Sequence, residues 1–299
     1  MRAIHFVVPL ILWPNTATAQ APESAGLWRV YAASLAIPPA LQTGPLAPAW
    51  NPAAASREGA LVGGLQIVHT SSVLGLAGFT AGATKSVSHG GTLGLQLGRI
   101  DIRDLVRTTT DPSRVGGPIP VYTQYLGIGG QLMMGHLEMG ALARIINERF
   151  DTIDETGLTL DLGLRFQPHR RLLFAAASRF LPIDLSKQST TDFYAGMEYE
   201  FLSAGRIGTV SSTVKVRLGT TYRAFQTFEP SVGAGILFGG HFGLNASVAR
   251  EQAHGVHAIR PAISLLLRVG RYQAWFARAS SLNDVGATYR VGLEIAIAR

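Results

Sequence analysis

The stretch from Ser231 to Arg250, SVGAGILFGGHFGLNASVAR, most narrows what this chain can become. No Asp, Glu, Lys or Arg stands between Glu229 and Arg250. As a single helix it is long enough to cross a bilayer. But Gly233, Gly235, Gly239, Gly240 and Gly243 lie inside it, and each costs a helix up to ~1 kcal/mol relative to alanine. Its polar residues, Ser231, His241, Asn245 and Ser247, fall on no helical stripe. As two strands the pattern resolves. Val232, Ala234, Ile236 and Phe238 share one face, Gly239-Gly240 turns the chain, and Phe242, Leu244, Ala246 and Val248 return on that face. Side chains alternate across a strand, glycine takes the positive φ of a hairpin turn, and about nine residues suffice for a tilted membrane strand.

The same period recurs. Leu158, Leu160, Leu162, Leu164 and Phe166 alternate with Thr159, Asp161, Gly163 and Arg165. Similar runs cover 193–201, 214–223, 259–269 and 285–297. One face is apolar; the other carries glycine, hydroxyls and isolated charges. A soluble β-sandwich also alternates, but its polar face is densely charged. Here only 15% of the residues are charged, against about 25% in soluble domains. The fold class expected is therefore all-β, a transmembrane antiparallel β-barrel with lipid outside and a polar lumen.

From Gly59 onward the alternation yields about fourteen strands, centred near residues 65, 78, 97, 127, 141, 162, 175, 197, 217, 234, 245, 263, 275 and 291. Connections after even strands are tight: Gly135-His136, Pro168-His169, Gly239-Gly240 and Gly270-Arg271. Those after odd strands are mostly longer and polar, as in Val106–Pro120, Asn147–Thr156, Leu181–Thr190 and Glu251–His257. Short periplasmic turns and long extracellular loops orient such barrels. The short first hairpin near Ser71-Ser72 departs from the rule.

Ahead of the barrel two segments are expected. Arg2, the apolar run Ile4–Trp13 and small residues around Ala19-Gln20-Ala21 read as a secretory signal peptide over residues 1–21. The chain has no cysteine, hence no lipoprotein anchor and no disulfide. Residues 22–58 do not alternate and hold Pro38-Pro39, Pro45, Pro48 and Pro52 beside Trp28, Tyr31, Leu35, Leu41 and Trp50. That apolar content predicts a segment packed into the barrel mouth, an N-terminal plug. The barrel itself is assigned to 59–299. The net charge of +7 is spread as single arginines without a basic run, which argues against nucleic acid as a partner.

Trp50-Asn51-Pro52-Ala53 resembles the Asn-Pro-Ala motif ahead of the first strand in the FadL/PorV superfamily of fourteen-stranded outer-membrane barrels. Gly196-Met197-Glu198-Tyr199 resembles a strand common in its PorV/PorQ-like branch, and the compact loops lean the same way. Arg290, Gly292, Ile295 and Ile297 resemble the C-terminal signal for barrel assembly, although the chain ends Ala298-Arg299 instead of on an aromatic residue. The resemblance implies an outer-membrane location and two uses. One is a non-enzymatic role in protein secretion or surface assembly of the type IX kind, with secretion-machinery or cargo proteins as partners. The other is a FadL-like channel for hydrophobic molecules such as fatty acids. In that case Trp50, Asn51, Pro52 and Ala53 form a hatch, and a kink in the third strand opens a lateral exit. At Gly98-Arg99 the apolar phase slips, from Leu93, Leu95 and Leu97 to Ile100 and Ile102, as at a bulge or kink.

Inward charges are expected at Asp161, Arg165, Glu198, Glu200, Lys215, Arg217, Arg223, Arg260, Arg268, Arg290 and Glu294. Burying them unpaired costs several kcal/mol, so they pair or meet lumen water. In an open pore the arginine excess would favour anions. No Gly-x-Ser-x-Gly elbow is present, and Gly233-x-Gly235 lacks the third glycine of a dinucleotide loop. His254-x-x-His257 with Glu251, and Asp151, Asp154 and Glu155, lack any ordered metal spacing. The reading is of no catalytic residue, no metal and no cofactor, with the lipid bilayer as the constant partner.

Overall fold

A computed structural model describes residues 25–55, 61–71, 75–87, 90–103, 105, 117–183, 191–207, 210–223, 227–253, 256–280 and 286–298. The region read as a signal peptide and most of the long loop before Pro120 lie outside the described residues. The strands are β1 (Leu61–Thr70), β2 (Leu76–Ser86), β3 (Gly91–Ile102), β4 (Val121–Met134), β5 (Leu137–Phe150), β6 (Ile153–His169) and β7 (Leu172–Pro182). They continue as β8 (Asp192–Ile207), β9 (Val210–Arg223), β10 (Thr227–Phe238), β11 (Phe242–Ala253), β12 (Val256–Val269), β13 (Tyr272–Ser280) and β14 (Ala287–Ala298). Each pairs antiparallel with its sequence neighbour, and β14 pairs with β1, so the barrel closes on fourteen strands. Closure gives every strand a neighbour on each side and leaves no edge strand, the condition for strands to span a membrane.

Every expected strand centre falls within a strand. The outward positions read from the alternation are the exposed ones: Leu158, Leu162, Leu164, Phe166, Val216, Leu218, Ile263, Leu265 and Leu267 all show more than a third of their surface. Exposure of large apolar side chains around a whole barrel wall is what a lipid-facing surface requires. The tight hairpins turn at Gly135-His136, Gly239-Gly240 and Gly270-Arg271, each glycine at positive φ. The turn expected at Pro168-His169 lies two residues later, at Arg170-Arg171, because β6 runs on to His169 across a register shift.

No bulge interrupts β3 at Gly98-Arg99. β3 pairs one-to-one with β2 and β4 from end to end without a register shift. The apolar phase changes there for another reason. Ile100 points inward and is fully buried against an aromatic cluster inside the barrel. Arg99 and Asp101 point outward and pair with each other at 2.7 Å. Where the lumen is filled with apolar side chains, the inward face is apolar too, and the simple alternation inverts.

Candidate functional site

The N-terminal segment packs against inward-facing residues of the wall. Helix α1 (Ala25–Ala33) is followed by three single 3-10 turns at Pro39–Leu41, Ala47–Ala49 and Pro52–Ala54. Prolines open these turns, where a missing N–H costs nothing. Trp28, Tyr31, Ala40, Asn51 and Ala53 are all essentially inaccessible to solvent. Trp28, Tyr31 and Trp50 pack with Val68, Leu76, Ile100, Tyr125, Ile146 and Phe180 of the wall. Trp50 stacks on Tyr31 at 5.3 Å, and Trp28 meets Tyr125 edge-on at 4.8 Å. The indole of Trp28 donates to Thr123, and the Tyr31 hydroxyl lies 2.8 Å from that of Thr80.

The wall makes room with glycine. Gly140 and Gly163 face each other across β5 and β6. A Cβ on either would run into the backbone of Pro52 and Ala53, and on Gly163 into the Asn51 side chain as well. The Trp50–Ala53 motif therefore rests directly on bare sheet. Asn51 holds the turn, accepting from the Ala53 amide and donating to the Ala40 carbonyl at 2.8 Å. A second facing pair, Gly196 and Gly219 of β8 and β9, receives Leu41 and Pro38.

Beside Trp50 lies a cluster of charges with almost no solvent access. Arg144 of β5 pairs with Asp161 of β6, and Arg179 of β7 approaches the same carboxylate at 3.8 Å. Arg144 also donates to the Ala49 carbonyl at 2.8 Å, and Arg179 lies over the Trp50 ring at 4.5 Å. A bulge builds this corner. Between Leu160↔Leu181 and Leu162↔Ser178, Asp161 alone opposes both Arg179 and Phe180. Phe180 takes a positive φ and its amide donates to Asp161. Two consecutive side chains are thereby turned inward, as bulges do.

The inward charges read from the sequence form local pairs around the rest of the wall. Glu198 holds both Lys215 at 2.7 Å and Arg217 at 2.6 Å. Arg165 meets Glu138, and Arg260 meets Glu251 at 2.9 Å. Arg268 donates to Gln273, which donates to Glu294. Arg290 is buried over the Tyr31 and Trp275 rings. Glu200 stands opposite Lys215. Arg223 ends β9 opposite Asp192, with its side chain outside the described residues. Sequence reasoning missed Arg144, Arg179, Glu138 and Asp192. Asp192 receives Arg29 of α1 at 3.0 Å. The signal present was the rarity of arginine in otherwise apolar strands.

His254 lies outside the described residues. Glu251 is engaged by Arg260 on the inner face while His257 is exposed. Among the described residues no group of His, Cys, Asp or Glu is placed to hold a metal ion.

Burial pushes the Tyr31 hydroxyl up to about 12 from its ordinary 10.0, with the Arg290 guanidinium pulling the other way. A raised phenol favours the docked segment while it is neutral. Its contribution is complete below pH 10 and is lost as pH rises through 12. Emission of Trp28 and Trp50 in the reconstituted protein should shift over that interval, and Tyr31→Phe should remove the shift. The same profile in the variant would assign the change elsewhere.

No family model and no curated protein matches the chain. Solved structures do. It is similar to the Acinetobacter baumannii outer membrane protein Omp33, with a TM-score of 0.51 and 10% identity over 80% of this chain and 98% of that one. It is similar to the P. putida toluene transporter TodX, with a TM-score of 0.57 and 10% identity over 90% of this chain and 98% of that one. At such identity the likeness is one of fold, and that fold is the outer-membrane β-barrel.

Proposed function

We propose that this is an outer-membrane barrel plugged by residues 25–55, a non-enzymatic conduit for small apolar or amphipathic molecules. The observation that supports the reading is the contact of that segment with two bare glycine pairs of the wall. Its grip is extensive, but it leaves space. A cavity of about 90 Å³ lies between it and the β11–β14 wall, lined by Leu35, Ile37 and Trp50 of the segment and by Trp275, Arg290 and Glu294 of the wall. Such a lining suits a small molecule with an apolar body and one polar end. TodX, whose fold is similar, is named for toluene transport. The Trp50–Ala53 turn is the hatch in this reading, and the N-terminal processing of residues 1–21 delivers the chain to the membrane.

Deleting residues 25–55 should raise single-channel conductance in planar bilayers to a steady open level. Toluene should quench Trp50 and Trp275 in the intact protein and lose that effect in the deletion. Unchanged conductance together with absent quenching would sink the proposal. Escort of secreted proteins in the PorV/PorQ manner is a different use of the same barrel. It requires partners on the long loops. Proteins sharing a common C-terminal domain that co-purify after gentle extraction would favour it over passage.

A further inference from the structure

The wall is not paired to its full height everywhere. β10 pairs with β11 only from Ser231↔Ala249 to Phe238↔Phe242. Yet β10 continues to Thr227 along β9, and β11 continues to Ala253 along β12. Pairing stops beside Pro230, which has no N–H to extend the ladder. The β12–β13 ladder likewise ends at Ala262↔Ala279, beside Pro261. The half of the β11–β12 hairpin nearest the long loops is therefore released on its β10 flank, and among the described residues no pair joins it to β13 beyond Ala262↔Ala279.

A groove of about 640 Å³ opens on the outer surface at the first of these splits, lined by Pro230, Val232, Val248 and Ile259. That volume is in the range that holds a drug-sized ligand. Arg250 and His257 stand at its rim, both exposed. Arg250 opposes Ile259 and His257 opposes Gln252, so the two are diagonal neighbours across the hairpin, about 7–8 Å apart. Among the described residues of β10–β14 the carboxylates Glu229, Glu251 and Glu294 all belong to the inner face. Among the described residues the rim thus holds no acid. Behind the groove the wall is polar: Ser231, Ser247, Glu229 and Arg260 line the inner side. An apolar guest entering from the bilayer meets apolar walls and then a charged backing, so the groove holds it and does not pass it inward.

We propose that the groove holds one acyl chain of an anionic phosphorylated lipid of the leaflet around the long-loop end, with Arg250 and His257 on its phosphate. Basic pockets on membrane proteins recognise lipid headgroups in this way, and a guanidinium suits phosphate geometrically. The site is independent of the conduit reading and needs only the barrel in its membrane.

The test is native mass spectrometry of the protein in phosphatidylcholine nanodiscs doped with lipid A or with phosphatidylglycerol. One lipid A should be retained in preference to phosphatidylcholine. Arg250→Ser with His257→Ser should weaken retention about fivefold or more, as expected for a lost cation at a membrane surface. Val232→Trp, which fills the groove and leaves Arg250 and His257 in place, should weaken it as well. Arg278→Ser, on the same outer wall but away from the groove, should match the wild type. Equal retention in all variants, or no preference over phosphatidylcholine, overturns the proposal. Equal retention of lipid A and phosphatidylglycerol keeps the phosphate and the chain but shows that the sugar is not read.

Discussion

Asp161→Ala is expected to destabilise the barrel by about 3–5 kcal/mol, the usual cost of removing one partner from a buried ion pair. The expectation follows from the isolation of the cluster. The side chains of Arg144 and Asp161 are wholly inaccessible and that of Arg179 nearly so. Without the carboxylate, two guanidinium groups share a sealed corner whose other walls are Trp50, Tyr125 and Phe180. The Phe180 amide also loses its acceptor, and the bulge that aims Arg179 inward loses its tie. Urea unfolding in vesicles reads the loss. Asp161→Asn should recover part of it by keeping an acceptor for the amide. Replacing the triad together by apolar residues of similar volume should cost much less than the single change, because no charge is left stranded. An Asp161→Ala barrel as stable as the wild type would show that water reaches the corner.

Asp161 was legible as an inward charge, and why its two arginines, Arg144 and Arg179, escaped the sequence reading is instructive about barrels in general. The period of two was legible wherever the lumen is wet, since there the inward residues are polar and the outward ones apolar. Strands β8 to β12 follow it closely. It fails where the N-terminal segment packs on the inner wall. Val68, Ile100 and Ile146 are inward and apolar because Trp28, Tyr31 and Trp50 lie against them. In those strands both faces look alike, which made a regularly paired stretch of β3 read as a bulge. The reverse also holds: Arg144 sits among Leu142, Ile145 and Ile146, so its run reads as an apolar strand with one charge. Arg179 follows no period because the bulge adds a residue. Bulges and strand registers are tertiary facts. The same is true of the glycine pairs, since Gly140 and Gly163 become neighbours only through the β5–β6 register.

That register makes the second large effect. Gly163→Val should expel the N-terminal segment while the barrel remains closed. The new Cβ would fall on Asn51 and the Ala53 amide. Neither side can yield cheaply: one is a strand bonded on both edges, the other a turn held by Asn51 to the Ala40 carbonyl. Overpacking a filled interior costs about 1–3 kcal/mol where side chains can shift, and here the obstacle is backbone. Undocking relieves the collision at once. The readouts are trypsin cleavage after Arg29, which is held by Asp192 while docked, and a rise in conductance. Gly140→Val should do the same. The double variant should add little to either, because the segment that both obstruct has already left. Gly157→Val is the control on the same strand, since a Cβ there meets nothing within 4 Å. If Gly163→Val leaves Arg29 protected and the conductance unchanged, the Trp50–Ala53 turn does not rest on this glycine pair in the membrane, and its role as a hatch falls with it.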